Sequence, residues 1–284
     1  MTRFVTLNQF VNIWECDEND HMNVQFYYAK FDDAGQIFAV CNGLETALGK
    51  RIGRHVRYHS ELRGGAQIRI LSSLVGGGDS NIGPQSGCYV QHVMQDCDSG
   101  RLAATALDWH EGAARTAYAR IIDLLDMKAA PRALKAPADR GIRQAPAKPE
   151  AAVSRGILHP ALCDAQGIAR DQAYIGAVSD AASHAWDRIG VSTEWLNTHG
   201  FGRVAVEMRL CVHSPMRLGE LYQLQLAFTG VQSRAFTKRY DFFDLRDGRH
   251  IAFLETAAMI LNHTTRRSEP LPDFARDVIA QQLG

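Results

Sequence analysis

Three polar residues with catalytic side chains, Asp17, His21 and Asn23, stand close together just before a predicted helix. A carboxylate such as that of Asp17 can act as a nucleophile or as a general base. The backbone N–H groups at the start of the following helix carry partial positive charge and can stabilise an oxyanion. Aspartate and asparagine are also common helix-capping residues. The stretch therefore predicts either a catalytic carboxylate beside a helix N-terminus or a helix cap.

The helix that would position these side chains has one buried face. Apolar residues recur at positions 27, 31, 34, 38 and 41, the spacing of an amphipathic helix. Gly43 follows, where a helix-ending glycine with positive φ is expected. A strand within "RFVTLNQFVNIW" precedes the polar residues, and "RYHSEL", "AQIRILSSLV", "GCYVQHVMQ" and "LAATALDWH" are predicted strands after the helix. One helix followed by consecutive strands predicts an α+β unit in which an antiparallel sheet covers the helix.

The same order of elements occurs a second time. Identical residues recur 147 positions apart at Asp17 and Asp164, Tyr27 and Tyr174, Asp33 and Asp180, Ala34 and Ala181, and Gly43 and Gly190. Helical spacing returns at 174, 178, 181 and 185, and the predicted strands return as "RVAVEMRLCVH", "LYQLQLAFTG", "RAFTKRYDFFD" and "HIAFLETAAMIL". Self-similarity over both halves predicts a tandem duplication.

Between the repeats, "PRALKAPADRGIRQAPAKP" is rich in proline, alanine and basic residues and lacks hydrophobic periodicity. Such a composition predicts a linker. We therefore expect an N-terminal domain over residues 1–128, an Ala/Pro-rich linker over residues 129–152 and a C-terminal domain over residues 153–284.

The composition argues against several functional classes. The 31 basic residues balance 31 acidic ones without a Lys/Arg block, so we expect no nucleic-acid partner. No apolar run is long enough to span a bilayer and no signal pattern is present, so we expect a cytoplasmic protein without membrane contact. The six cysteines are scattered without Cys-x-x-Cys pairs, which favours reduced thiols packed as small core residues. We expect no metal and no cofactor.

Residues 15–27, "ECDENDHMNVQFY", resemble the active-site segment of the 4-hydroxybenzoyl-CoA thioesterase-like family, roughly Asp-x-Asp-x-x-Gly-His-x-Asn-x-x-x-Tyr. The spacing of the second Asp, the His, the Asn and the Tyr is kept here by Asp17, His21, Asn23 and Tyr27. The pattern "HMN…YY…FD" is especially similar to the branch that contains betainyl-CoA thioesterases. Two positions depart from the family pattern, because Glu15 replaces the first Asp and Asp20 replaces the Gly.

The second half matches the same family segment less completely. It keeps Asp164, Gly167 and Tyr174, but Ile168 stands at the position of the His and Arg170 at that of the Asn. We therefore expect the second half to contain the weaker site.

The resemblance implies a tandem (double) hotdog, an α+β fold in which each half is a long helix wrapped by a curved antiparallel sheet. It also implies an acyl-CoA thioesterase that hydrolyses a small or medium acyl-CoA thioester. Asp17 would be the nucleophile or general base, the helix N-terminus would stabilise the oxyanion, and His21 and Asn23 would orient water or the carbonyl. Asp164 is the equivalent catalytic candidate, and Tyr27 and Trp14 are the candidates for substrate binding.

The same resemblance leads to an expectation about assembly. The two halves are predicted to pack as an intramolecular pseudo-dimer, as single hotdog chains do. A double hotdog still has outward sheet surface and edge strands to cover, so a homo-oligomer of this pseudo-dimer is expected.

The sequence leaves two other functions open. A hotdog enoyl-CoA hydratase or dehydratase also joins Asp, Asn and His before a helix, but its His follows its Asp by five residues, with a proline expected between them. Here His21 follows Asp17 by four and the proline is absent. A non-catalytic acyl-CoA-binding scaffold is the other alternative, and the changes at Glu15, Asp20, Ile168 and Arg170 motivate it.

Overall fold

The computed structural model describes residues 4–75, 88–111, 122–123, 126–134, 140–145 and 152–283. Two compact units divide the chain. The first unit is Met1–Arg140 together with Arg170–Gln172, and the second is Gly141–Ala169 together with Ala173–Gly284. The division after Arg140 falls within the predicted linker, of which residues 135–139 and 146–151 lie outside the described residues. The predicted domain limits stay a prediction.

The first unit consists of one long helix, one short helix and β-strands. Its elements are β1 (Phe4–Phe10), α1 (Val24–Cys41), α2 (Glu45–Leu48), β2 (Arg51–Tyr58), β3 (Gln67–Val75), β4 (Cys88–Asp96), β5 (Leu102–His110) and β6 (Ile122–Asp123). A short 3-10 helix, Ile13–Glu15, precedes α1. The strands pair antiparallel in the order β1-β3-β4-β5-β2, and β6 pairs parallel with β3.

Helix α1 packs its apolar face on this sheet. The α1 residues Tyr27, Phe31, Ala34 and Phe38 are buried, as the helical spacing predicts. The Phe31 ring lies 5.9 Å from the ring of His92 on β4. Cys41 is exposed, so the predicted face ends one turn earlier than the spacing indicated.

The second unit repeats this arrangement and adds a C-terminal helix. Its elements are β7 (Ser154–Ile157), α3 (Asp171–Asp180), α4 (Ala182–Asp187), α5 (Thr193–His199), β8 (Phe201–Val212), β9 (Leu221–Val231), β10 (Ala235–Asp244), β11 (His250–Asn262), β12 (Ser268–Glu269) and α6 (Asp273–Leu283). The first two residues of α3 belong to the first unit. Its strands pair antiparallel in the order β7-β9-β10-β11-β8, with β12 on β11.

Each unit therefore places its five main strands in one and the same order, 1-3-4-5-2 when counted from its own first strand. In the second unit the helix is split at Ala181, although Ala181 and Ala185 still donate to the carbonyl four residues earlier. The rings of Tyr174 and Phe242 lie 5.4 Å apart, and those of Trp186 and Phe236 lie 4.8 Å apart, so both helical pieces pack on the sheet. The prediction of an α+β fold with one helical layer on an antiparallel sheet in each half is confirmed.

Two predictions about smaller features were wrong in part, and one helix was missed. "RYHSEL" is a strand only as far as Tyr58, because Ser60 Oγ donates to Leu102 O and Leu62 O accepts from Met22 N. Helix α6 was not predicted. Of the five cysteines whose side chains are described, all are free thiols, but Cys41 and Cys97 are exposed rather than packed in the core.

Two surveys cover only the described residues. Among them, no helix is long and apolar enough to cross a membrane. Within the same ranges, no group of three or more His, Cys, Asp or Glu side chains is arranged to hold a metal ion.

Candidate active site

Asp17 shapes a tight loop immediately before α1. Its Oδ1 accepts hydrogen bonds from the backbone N–H of Asn19 at 2.9 Å and of His21 at 3.2 Å. Its own N–H donates to His21 O at 2.8 Å, which closes the loop. Two amide donors on one carboxylate oxygen fix the orientation of the side chain, because each bond constrains the same Oδ1. Asp17 is half-buried, and its Oδ2 has no hydrogen-bond partner among the described residues.

Asp20 takes the left-handed conformation in this loop. Its φ is 58°, and at the corresponding place in the second half Gly167 has φ 73°. The Gly of the family pattern therefore meets a real backbone requirement, and aspartate is among the few other residues that tolerate it. The exposed carboxylate of Asp20 pairs with Arg63 at 3.2 Å.

Asn23 is the N-cap of α1. Its Oδ1 accepts the backbone N–H of Gln25 at 3.1 Å, and its own N–H donates to Glu15 O at 2.8 Å. Glu15, which replaces the first Asp of the family pattern, is buried and pairs with Lys30 at 2.9 Å. Because Lys30 lies on α1, this ion pair ties the loop to the helix that it precedes.

The imidazole of His21 pairs with Glu61 rather than with Asp17. Its Nε2 lies 3.3 Å from Glu61 Oε2, while only the backbone of His21 contacts Asp17. The loop thus brings Asp17, His21 and Asn23 within a few residues of one another, with the three side chains making separate contacts.

The two candidates for substrate binding lie in different environments. Tyr27 is buried with its ring edge-on to that of Tyr58, 5.1 Å between centroids. Burial raises the pKa of Tyr27, and the nearby Asp17 carboxylate raises it further, so the hydroxyl keeps its proton. Trp14 is 74% exposed on the short 3-10 helix.

The second half contains the same loop. Asp164 Oδ1 accepts from the N–H of Gln166 and of Ile168, both at 2.9 Å, and Asp164 N donates to Ile168 O at 2.8 Å. The loop geometry is therefore retained although no histidine follows. Arg170, at the position of Asn23 and itself part of the first unit, instead donates to the Asp33 carboxylate.

A buried ionic network in the first unit was not predicted from the sequence. Arg54, which is fully buried, donates from Nε and Nη2 to the two carboxylate oxygens of Asp108 at 2.6 and 2.7 Å. Its Nη1 donates to Asp32 Oδ1 at 2.8 Å. Arg51 donates to Asp32 at 2.8 Å and to Asp171 at 2.6 Å. These five side chains form a connected set of charge-assisted hydrogen bonds under α1.

The pKa shifts in this network follow from burial and neighbouring charge. Burial disfavours the Asp108 carboxylate, but Arg54 and Arg51 outweigh it and hold its pKa well below the usual range. For Asp171, burial prevails and the Asp32 charge adds to it, so its pKa rises to about 6 although Arg51 opposes the shift. Burial also lowers the pKa of His92, whose Nε2 lies 3.4 Å from Asp108.

A partial signal for this network exists in the sequence. Arg54 and Asp108 are direct partners of opposite charge on neighbouring strands β2 and β5. Asp108 stands inside an apolar strand segment, where an unpaired charge would be costly to bury. The strand register that makes them partners is set by the folded sheet and cannot be derived from the number of residues between them.

Similarity to known proteins extends over most of the chain. The model of the thioesterase-like superfamily matches residues 158–283. The 12:0-ACP thioesterase from Umbellularia californica is 10% identical, with a TM-score of 0.57 over 89% of this chain and 93% of that one. A protein described as an oleoyl thioesterase from Lactobacillus plantarum is 12% identical, with a TM-score of 0.59 over 91% of this chain and 96% of that one. An acyl-ACP thioesterase from Bacteroides thetaiotaomicron is 9% identical, with a TM-score of 0.56 over 89% and 96%.

No curated protein sequence is significantly similar to the chain. At 9–12% identity the solved structures establish the fold and not the chemistry. The chain therefore has the tandem hotdog fold of these thioesterases along most of its length, and its second half matches the thioesterase-like superfamily.

Proposed function

We propose that the chain is an acyl thioesterase that hydrolyses a small or medium acyl-CoA thioester, with Asp17 as nucleophile or general base. The observation that carries this proposal is the loop before α1. There, two backbone N–H groups hold Asp17 Oδ1, and Oδ2 has no partner among the described residues. A carboxylate fixed through one oxygen presents the other in a defined direction, which is what attack or proton abstraction requires.

As a general base, the Asp17 carboxylate takes a proton from a water molecule while the water oxygen attacks the thioester carbonyl carbon. The tetrahedral intermediate then collapses with loss of the thiolate, which takes up the proton. As a nucleophile, Asp17 would form a mixed anhydride and release the thiolate first, and water would then hydrolyse the anhydride. Both routes yield one carboxylic acid and one thiol.

The start of α1 supplies the positive end of the helix dipole for the developing oxyanion. Asn23 accepts hydrogen bonds from two backbone N–H groups in the first turn of α1. Its Oδ1 accepts from Gln25 N, and its carbonyl accepts from Phe26 N. Val24 is the first residue of α1, where a backbone N–H has no acceptor within the helix, so we assign its N–H as the oxyanion donor. Asn23 thereby acts chiefly as the cap that keeps this donor in place.

His21 is a positioning residue in this proposal. Glu61, 3.3 Å from its Nε2, orients the imidazole, and the His21 N–H helps to hold Asp17. Asp164 occupies an equivalent loop without the histidine and the Asn cap, which supports a lesser activity at the second site. Tyr27 and Trp14 remain the proposed contacts to substrate.

The acyl carrier is part of the proposal. Two of the similar structures are named as ACP thioesterases, so acyl-ACP is tested beside acyl-CoA. The experiment incubates the full chain with a panel of both thioesters and a thiol reagent. Release of free thiol supports hydrolysis, consumption of enoyl-CoA without thiol would support a hydratase, and binding without either reaction would support a scaffold.

A further inference from the structure

Lys238 is a buried lysine without a counter-ion among the described residues. Lys238 is 3% exposed and lies on β10 in the second unit. Its Nζ lies 5.5 Å from the ring centre of Trp186, 5.6 Å from that of Phe236 and 5.3 Å from that of Tyr240. Aromatic faces offset part of the cost of burying an ammonium, but they accept no full hydrogen bonds.

Two buried hydroxyl groups beside this lysine also lack partners. Tyr240 Oη and Thr256 Oγ1 are buried and make no hydrogen bond to any described residue. Thr256 is the direct cross-strand partner of Lys238 on β11, and Tyr240 follows Lys238 by two residues. All three therefore point to the same face of the sheet, which is the face that packs on α3 and α4.

In the first unit, a complete ionic network fills the corresponding place. Aligning "HSELR" (59–63) with "HSPMR" (213–217) and "DSGR" (98–101) with "RDGR" (246–249) gives offsets of 154 and 148. These offsets place the cross-strand pair Met208 and Thr256 at the positions of the pair Arg54 and Asp108. The second unit has thus lost the carboxylate and the guanidinium that satisfy each other. It has instead an ammonium and two unpartnered hydroxyls, with no carboxylate among the described residues paired with the ammonium.

We propose that this cluster, Lys238 with Tyr240 and Thr256, is an internal binding site for the carboxylate of an organic acid with an apolar body. The carboxylate would be the missing counter-ion of Lys238 and would accept from the two hydroxyls. The rings of Trp186 and Phe236 would contact the apolar body.

The ionisation of Lys238 fits this role. Burial lowers its pKa to about 7, and the charge of Arg203 adds to the shift. Burial raises the pKa of Tyr240, and the charge of Arg188, another group near the cluster, opposes this shift. A neutral amine must take up a proton when a carboxylate binds, so affinity should fall by about tenfold per pH unit above about pH 7.

The carboxylate has two possible sources. It can belong to a free acid, or it can be the far end of a dicarboxylic acyl group carried as a thioester. The second source rests on the proposed function. Phe242, which contacts Tyr174 near the start of α3, lies four residues from Lys238, about 13 Å along the strand.

The test measures binding of octanoate to the full chain by calorimetry between pH 6 and 8.5, with octanamide as the uncharged probe. Wild type should bind octanoate at least tenfold more tightly than octanamide, with the stated pH dependence. Lys238→Met should lose the preference and the pH dependence, and the exposed Lys128→Met should keep both. Tyr240→Phe removes only the hydroxyl and should weaken octanoate roughly tenfold, so a Lys238→Met variant that fails to fold does not end the test.

A second arm compares the hydrolysis of octanedioyl-CoA with that of octanoyl-CoA as a ratio of kcat/KM, in the Asp17→Asn background so that the second-unit loop at Asp164 carries the measured rate. If the ratio falls in Lys238→Met, the acyl group is the source; if only octanoate binding changes, a free acid is the source. If octanoate binding depends on Lys238 but the chain hydrolyses no thioester, the binding site is supported and the proposed function is refuted. Equal binding of octanoate and octanamide, or no dependence on Lys238 and Tyr240 in either arm, overturns the site.

Discussion

At the scale of single residues, Asp17 and Asp164 occupy equivalent loops and differ in their neighbours. Asp17→Asn keeps an acceptor for the two N–H groups but removes the base or nucleophile, so kcat should fall by roughly 10²–10⁴. Asp164→Asn should leave most of the rate, because Ile168 and Arg170 replace the residues that accompany Asp17. The measurement is kcat with a thioester that wild type hydrolyses, with a melting curve for each variant.

The exposed hairpin residue Asp98 provides the matched control, since Asp98→Asn makes the same chemical change away from either loop. Equal losses at positions 17 and 164 would mean two working sites. An unchanged rate in Asp17→Asn would leave that residue as a structural element of the loop.

Asp171 gives a prediction about stability and pH. Its folded-state pKa of about 6 lies above the ordinary value, so folding favours the protonated form. The stabilisation from this group is complete below about pH 4 and is lost as the pH rises through about 6. Asp171→Asn cannot ionise, so its melting temperature relative to wild type should increase between pH 4 and 7, equivalent to about 3 kcal/mol at most.

Melting curves across this pH range check the prediction, with Asp98→Asn as the exposed control. A constant difference between Asp171→Asn and wild type would show that Asp171 is ionised throughout, held by Arg51 in spite of its burial.

At the scale of elements, the two loops before α1 and α3 both require a residue with positive φ, and they use different residues for it. Gly167 has φ 73° and Asp20 has φ 58°. Gly167→Ala should cost about 1–2 kcal/mol of stability, because a Cβ is unfavourable in the left-handed region. Asp20→Gly should be neutral or slightly stabilising, since it relieves that strain and loses only an exposed ion pair with Arg63.

Chemical denaturation of the two variants measures both effects. Gly64→Ala is not a suitable control, because Gly64 lacks a positive φ and the Ile13 side chain crowds the place of an added Cβ. The better comparison is Gly100→Ala, which also has a positive φ, 67°, but lies in a hairpin turn. A stabilised Gly167→Ala would contradict the account of the loop.

At the scale of the whole molecule, we still predict a homo-oligomer of the intramolecular pseudo-dimer. Among the described residues, β1 pairs only with β3, and its side chains Phe4, Val5 and Phe10 are exposed. Exposed apolar side chains on an edge strand favour association. Light scattering at micromolar concentration should give at least twice the 31.4 kDa of the chain.

Phe10→Glu should lower that mass towards 31.4 kDa, whereas Met127→Glu, which changes an exposed apolar residue elsewhere, should not. A wild-type mass of 31.4 kDa would refute the oligomer. Cytoplasmic location and the acyl-group preference likewise remain predictions for experiment.

The sequence by itself determined the elements that depend on local pattern. The α1 spacing, the positive φ of Gly43 and Gly190, and the strands β3, β4, β5 and β9 to β11 follow from periodicities of 3.6 and 2 and from turn residues. The loop at Asp17 could also be predicted from the sequence, because its hydrogen bonds join residues only two and four positions apart.

Only the tertiary structure decided which charges meet and what burial does to them. Arg51 and Asp171 are 120 residues apart in the chain, and Arg54 reaches Asp108 through strand register. In the sequence Lys238 is one polar residue of a strand, and only the fold places it beside the rings of Trp186 and Tyr240. Ion pairing and pKa depend on distance and desolvation in three dimensions, which local periodicity does not encode.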